Sequence, residues 1–136
     1  MSSQPLALRV DIIDDDDAVR DSLSALLESY GYVVRGFASA LHYLKRDDRT
    51  PSDCLIVDHH MPGMTGLELL EALQAQGGRI PSLMVTGRND PSLEPRLARV
   101  GVTKLLHKPI DDEQLVGWIE EACARSAPAH GQTPQA

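Results

Sequence analysis

The stretch that most constrains this chain is Cys54-Leu55-Ile56-Val57-Asp58-His59-His60-Met61-Pro62-Gly63-Met64-Thr65-Gly66. A short apolar run stops at a carboxylate, a Pro-Gly loop follows, and a helix signal comes next. Apolar residues bounded by a turn describe a strand covered on both faces, the kind found in parallel sheets. Asp58 then lies at the carboxyl end of a central strand. In open α/β sheets that edge is where ligands and chemistry collect.

The rest of the chain supplies the neighbours such a strand needs. Leu6 to Ile13 reads as a first strand that runs into Asp14, Asp15, Asp16 and Asp17. Val19, Leu23, Leu26, Leu27 and Tyr30 then recur at helical spacing. Asp16 and Asp17 fall at the positive end of that helix, and Gly31 is a plain C-terminal stop. Tyr32 to Phe37 reads as the second strand. Ser39 caps a short second helix with Leu41 and Leu44 expected to face inward. After the third strand, Thr65 and Glu68 form a capping box for a helix striped by Leu67, Leu70 and Leu73. Gly77-Gly78 ends it. Ile80 to Thr86 is the fourth strand. Pro95 disturbs the next helix, which is expected to be short, over Pro95 to Val100, or irregular at its start. Val102 to His107 is the fifth strand. Asp111 or Asp112 caps a last helix striped by Leu115, Ile119, Ala122 and Cys123. Residues 1–125 make one domain, and 126–136, rich in Ala, Pro, Gly, Gln and Thr, read as a disordered tail or linker. Strands alternating with helices imply a parallel sheet covered on both faces, with right-handed crossovers.

Four strand ends are polar and fall along one edge: Asp14-Asp15, Asp58, Thr86 and Lys108. Converging carboxylates repel, so the group should bind a proton or a cation. Mg²⁺ suits few carboxylates with room for waters and phosphate oxygens. Such an assembly can accept a phosphoryl group on Asp58 as nucleophile, with metal and lysine offsetting the developing charge.

These pieces together resemble the bacterial two-component response-regulator receiver domain, over roughly Leu8 to Ala124. The resemblance rests on Ile12-Ile13-Asp14-Asp15, Ile56-Val57-Asp58, Met61-Pro62-Gly63-Met64-Thr65-Gly66, Val85-Thr86-Gly87 and Lys108-Pro109. Each alone is weak; together, in this order, they are strong. The Asp-rich loop, Thr86-Gly87 and Val19-Arg20 are most similar to the nitrogen-fixation-regulator branch. The resemblance implies a flavodoxin-like α/β three-layer sandwich with strand order 2-1-3-4-5 and five helices. It implies that Asp58 is the phosphoacceptor. Asp15, Asp58 and the backbone carbonyl of His60 would bind Mg²⁺, with Asp14 acting mainly through water. Thr86 would bond the phosphoryl group, Lys108 would pair with it, and Lys108-Pro109 would be cis. It implies a sensor histidine kinase as phosphodonor and a histidine phosphotransfer protein or downstream protein as further partner. A homodimer through the face formed by the fourth helix, fifth strand and fifth helix is a further expectation, weakened by Pro91 and Pro95.

The chain departs from that family at Leu105. Receivers usually carry an aromatic residue three positions before the lysine, which swings inward as the threonine moves. Here the threonine half of the switch is present and the aromatic half is missing. His60 and Arg88 occupy the two variable positions flanking the phosphoryl pocket, and we expect them to set the lifetime of the phosphoaspartate.

Other function classes fare worse. The formal charge of −7 argues against a nucleic-acid surface. No apolar run approaches membrane-spanning length, and Met1 to Pro5 lacks a signal-peptide pattern, so a cytoplasmic protein is expected. Cys54 and Cys123 are expected as two buried free thiols rather than a disulfide. Adjacent His59 and His60 rarely hold a transition metal without a third ligand. His42 and His107 lack companions at ligand spacing. The rival class is an aspartyl-phosphate phosphatase or phosphotransferase. Haloacid-dehalogenase-like enzymes carry a second acid two residues after the nucleophile, where this chain has His60, and no substrate-capping insertion is visible; a non-enzyme is expected. We expect a stand-alone receiver in preference to the receiver part of a transcription factor.

Overall fold

The computed structural model describes residues 7–125 except 79, 88 and 89. The proposed tail, 126–136, and Arg88 lie outside the described residues.

Five parallel strands form one sheet in the order β2-β1-β3-β4-β5. They are β1 (Arg9–Ile13), β2 (Val33–Phe37), β3 (Cys54–Asp58), β4 (Ser82–Thr86) and β5 (Val102–His107). Between and after them run α1 (Asp17–Ser29), α2 (Ala40–Leu44), α3 (Gly66–Ala75), α4 (Glu94–Arg99) and α5 (Asp112–Arg125). β3 and β4 are buried at every position, which is why their sequences read as unbroken apolar runs rather than alternating ones.

The two faces carry separate cores. Val10, Ile12, Cys54, Ile56, Leu83 and Val85 pack with Leu23 and Leu27 of α1 and Leu115 and Ile119 of α5. Ile13, Leu55, Val57 and Met84 pack with Tyr43 of α2, Leu67 and Leu70 of α3 and Leu97 of α4. The alternation along β1, β3 and β4 assigns successive side chains to opposite cores.

The helix ends follow the local chemistry expected of them. Asp16 caps α1 through the amides of Ala18 and Val19, Ser39 caps α2 through that of His42, and Thr65 and Glu68 form both halves of the capping box of α3. Asp111, outside the helix, accepts from the amide of Gln114 at 3.0 Å and so caps α5. Gly31 and Gly77 take the left-handed conformation that stops α1 and α3. The irregular helix start is present as a 3-10 turn, Pro91–Leu93, before the six residues of α4. Pro95 is tolerated because it falls in the first turn of α4, where no amide donor is required.

One inward-facing residue is corrected. Leu41 is 53% exposed, while Ala40 and Tyr43 carry the buried face of α2. With only five residues in α2, its buried face is chosen by the large Tyr43, whose ring meets Phe37 edge-to-face, and not by the leucine spacing. Cys54 is buried as expected, but Cys123 is only half-buried.

Candidate functional site

The carboxyl edge of the sheet gathers the polar strand ends. β1 runs out at Ile13, and Asp14 is held by its own amide, which donates to the carbonyl of Phe37 at 3.1 Å. The Asp14 carboxylate accepts from the amide of Asp16 at 2.9 Å. Arg20, a turn into α1, donates to the Asp14 carbonyl at 2.7 Å and pairs with Asp17. β3 delivers Asp58, whose neighbour His59 donates its amide to Val85 of β4 at 2.9 Å. Carboxylate oxygens of Asp14, Asp15 and Asp58 lie within 4.8 Å of one another. Asp14 and Asp58 are 4% and 3% exposed, whereas Asp15 is open to solvent.

Lys108 follows β5 and places Nζ 3.5 Å from Asp58 Oδ2. Its amide donates to the carbonyl of Thr86 at 3.0 Å, joining the ends of β4 and β5. The Lys108–Pro109 peptide is cis, as expected. Thr86 ends β4 with no exposed surface. Three of the four polar strand ends therefore face one small volume around Asp58, and the fourth, Thr86, borders it through His60.

The loop after β3 is folded back over the site. The amides of Met61 and Gly66 both donate to the His59 carbonyl. The His60 amide donates to Asp58 Oδ1 at 3.2 Å, and its Nε2 lies 3.0 Å from Thr86 Oγ1. A Cβ at Gly66 would stand 2.7 Å from the Asp58 carbonyl oxygen and 2.9 Å from Val57 Cγ1. The start of α3 can approach β3 this closely only because residue 66 has no side chain.

Electrostatically the edge is acidic and partly dry. Burial pushes the Asp14 carboxyl above its ordinary range. Nearby Asp58 and Asp15 add to the rise, while the Asp16 amide and Lys108 oppose it. His59 is held below its ordinary value, first by burial and then by the neighbouring His60.

The oxygen-only donor set suits a small hard divalent cation and not a soft one. Among the described residues this is the one cluster of three metal-ligating side chains. His59 and His60 stack edge-to-face, with ring centroids 4.9 Å apart, and bring no third ligand with them.

The contacts of Arg20 with Asp14 and of His60 with Thr86 were not legible beforehand. Arg20 carries a weak signal, standing three residues after Asp17 at the start of an amphipathic helix. The His60 contact bridges two loops and has no local signal. Leu105 is half-buried and packs against the core on the α3 and α4 face.

A buried carboxylate after a central strand, two more acids and a lysine around it define a class of protein: phosphoacceptor signalling domains. The family model of the response regulator receiver domain matches residues 10–120, and the chain belongs to that family. It is 39% identical over 123 residues to the Transcriptional regulatory protein FixJ of Azorhizobium caulinodans, covering 90% of this chain and 58% of that protein. Among solved structures, it superposes on a CheY-like receiver domain from Methanospirillum hungatei with TM-score 0.82, at 28% identity, covering 88% of this chain and 96% of that one. It superposes on full-length FixJ from B. japonicum with TM-score 0.80, at 37% identity, covering 90% of this chain and 60% of that one. The chain thus spans a little over half the length of the curated relatives it matches. The flavodoxin-like fold and the role in two-component signalling follow from membership. Among the described residues, no helix is long and apolar enough to cross a membrane.

Proposed function

We propose that Asp58 is the phosphoacceptor of this receiver. A carboxylate oxygen of Asp58 attacks the phosphorus of a phosphohistidine; the P–O bond forms, the P–N bond breaks, and the imidazole of the kinase leaves. Asp15, Asp58 and the His60 carbonyl would hold Mg²⁺, with Asp14 reaching it mainly through water. The ion supplies positive charge opposite the oxygens of the transferring group. The observation that carries this reading is the convergence of three carboxylates with the Lys108 ammonium, 3.5 Å from Asp58, on one edge of the sheet.

Each neighbour then has a task. Lys108 neutralises Asp58 before transfer and pairs with the phosphoryl group after it. Thr86 leaves His60 to donate its hydroxyl to a phosphoryl oxygen. His60 and Arg88 set how fast water removes it. The domain is read as a signalling module without turnover on small phosphoesters, acting in the cytoplasm on a protein partner downstream. The relatives are named transcriptional regulators, and this reading carries over only the phosphate-accepting half of that activity.

The test is intact mass after incubation with acetyl phosphate and Mg²⁺. The native chain should gain one phosphoryl group and Asp58→Asn none. Labelling of Asp58→Asn at equal yield, or no labelling of the native chain by any phosphodonor including a histidine kinase, overturns the assignment. Multiple turnover of p-nitrophenyl phosphate would favour the enzyme class instead.

A further inference from the structure

The edge of the sheet opposite the acidic site holds a second chemical pair. Cys54 opens β3, and Cys123 lies near the end of α5. The fold packs Cys123 against the buried cluster that contains Cys54, although half the chain separates them in sequence. Cys54 Sγ is 3.7 Å from the Leu55 carbonyl, and Cys123 Sγ is 4.0 Å from the Asp53 carbonyl, one residue before Cys54. Cys54 is fully buried, whereas Cys123 is half-buried and meets solvent along α5. Neither sulfur is in a disulfide in this structure.

We propose that Cys54 and Cys123 form a dithiol–disulfide site that takes a hydroperoxide as its oxidant. The division of labour follows from position. The accessible sulfur meets the oxidant, and the buried one resolves the product. This is the arrangement of redox-sensing cysteines, an exposed reactive thiol beside a resolving partner. The acidities point the same way. The Cys54 hydrogen bond lowers the pKa of Cys123, while that bond and burial hold Cys54 protonated.

The chemistry balances in two steps. The Cys123 thiolate attacks one peroxide oxygen; the S–O bond forms, the O–O bond breaks, and the other oxygen leaves as water, or as an alcohol, after taking a proton. The Cys54 sulfur then attacks the sulfenic sulfur; the S–S bond forms, the S–O bond breaks, and the hydroxyl leaves as water with the Cys54 proton. The peroxide gains two electrons and the thiol pair loses them. A dithiol reductant reverses the change by exchange, so in a reducing compartment the cross-link is transient. Its structural effect is to clip α5 to the strand that carries Asp58 at its far end. Because the closed loop spans more than half the chain, Tm should rise by roughly 10 °C.

The experiment treats the native full chain with stoichiometric hydrogen peroxide, then denatures, alkylates and maps peptides without reduction. The expected result is a Cys54–Cys123 linked peptide, loss of two hydrogens with no alkylation at either cysteine, reversal by dithiothreitol and the rise in Tm. In Cys54→Ala, Cys123 should be trapped by dimedone as the sulfenic acid; in Cys123→Ala, Cys54 should stay unmodified. Asp58→Asn should cross-link as the native chain does, which separates this site from the phosphoacceptor. Sulfinic or sulfonic acid at Cys123 beside a free Cys54, a disulfide between two chains, or full alkylation of both thiols would overturn it. The result on the native chain decides even if a variant fails to fold.

Discussion

Arg35→Met should be among the most damaging single changes outside the acidic site. Asp11 sits in the middle of β1 with no exposed surface. Arg35, on neighbouring β2, grips it with two hydrogen bonds, Nε to Oδ1 at 2.9 Å and Nη2 to Oδ2 at 2.7 Å. Ser52 donates to Oδ2, and its oxygen lies 3.0 Å from the Tyr43 hydroxyl. Arg35 also donates to the carbonyls of Asp48 and Thr50, fixing the loop before β3. Methionine keeps much of the aliphatic bulk but leaves a buried carboxylate with one hydroxyl for a partner. Breaking a buried pair on one side costs about 3–5 kcal/mol. A domain of this size loses roughly 3–5 °C of Tm per kcal/mol, so Tm should fall by about 10–20 °C. Urea unfolding followed by circular dichroism, with the single tryptophan, Trp118, as second probe, gives the free energy directly. The double variant Arg35→Met/Asp11→Leu removes both charges and should recover most of the loss. A single-variant cost below about 1 kcal/mol, or a double variant no better than the single, would refute the charge-burial reasoning.

Three further outcomes are expected. Gly66→Ala places a methyl against the Asp58 carbonyl and the His59 backbone, so it should cost about 2 kcal/mol and slow phosphorylation by displacing Asp58; unchanged Tm and labelling rate would contradict the close approach. Asp14→Asn should raise Tm at neutral pH. A carboxyl whose folded pKa lies above its unfolded value of 3.8 favours folding in acid and loses that contribution as pH rises through the folded value. The advantage of the amide should therefore shrink as pH falls, and Mg²⁺, proposed above to bind the folded native chain, should narrow it at neutral pH; a pH-independent gap would show that burial of the charge is not the cause. His60→Asn and Arg88→Ala should change the dephosphorylation rate of labelled chain severalfold, measured by loss of the phosphoryl mass, and unchanged rates would remove both from the role proposed for them.

The sheet was legible because buried parallel strands leave the plainest trace: Cys54 to Asp58 and Val102 to His107 begin and end where their sequences suggest. Caps were legible because Ser39, Thr65 and Glu68 act on amides within one turn. The candidate site was legible for the same reason, since a residue at a strand's end is placed by the strand. Contacts between elements were not. Asp11 stands inside a mostly apolar run, and nothing near it in sequence announces Arg35 or Ser52. The meeting of Cys54 with Cys123 depends on how α5 lies across β3. Leu41 misled because a five-residue helix has too few turns for spacing to select its buried face.

The site's connections also indicate how a signal can leave it without an aromatic switch at position 105. Thr86 is fixed on two sides. Its hydroxyl lies against His60 on the loop that also binds Asp58, and its carbonyl holds the Lys108 amide beyond β5. A movement of Thr86 toward the proposed phosphoryl group would free the His60 ring and pull on the end of β5 at once. Leu105, two residues earlier in β5 than His107, is already packed against the core it shares with Leu97 of α4. A half-buried leucine has little room for the large swing an exposed ring makes, so displacement at Thr86 would be passed on as a shift of packed elements. Interfaces between packed elements move between discrete arrangements and do not deform continuously, which lets a small shift at the phosphoryl pocket reach the surface of α4.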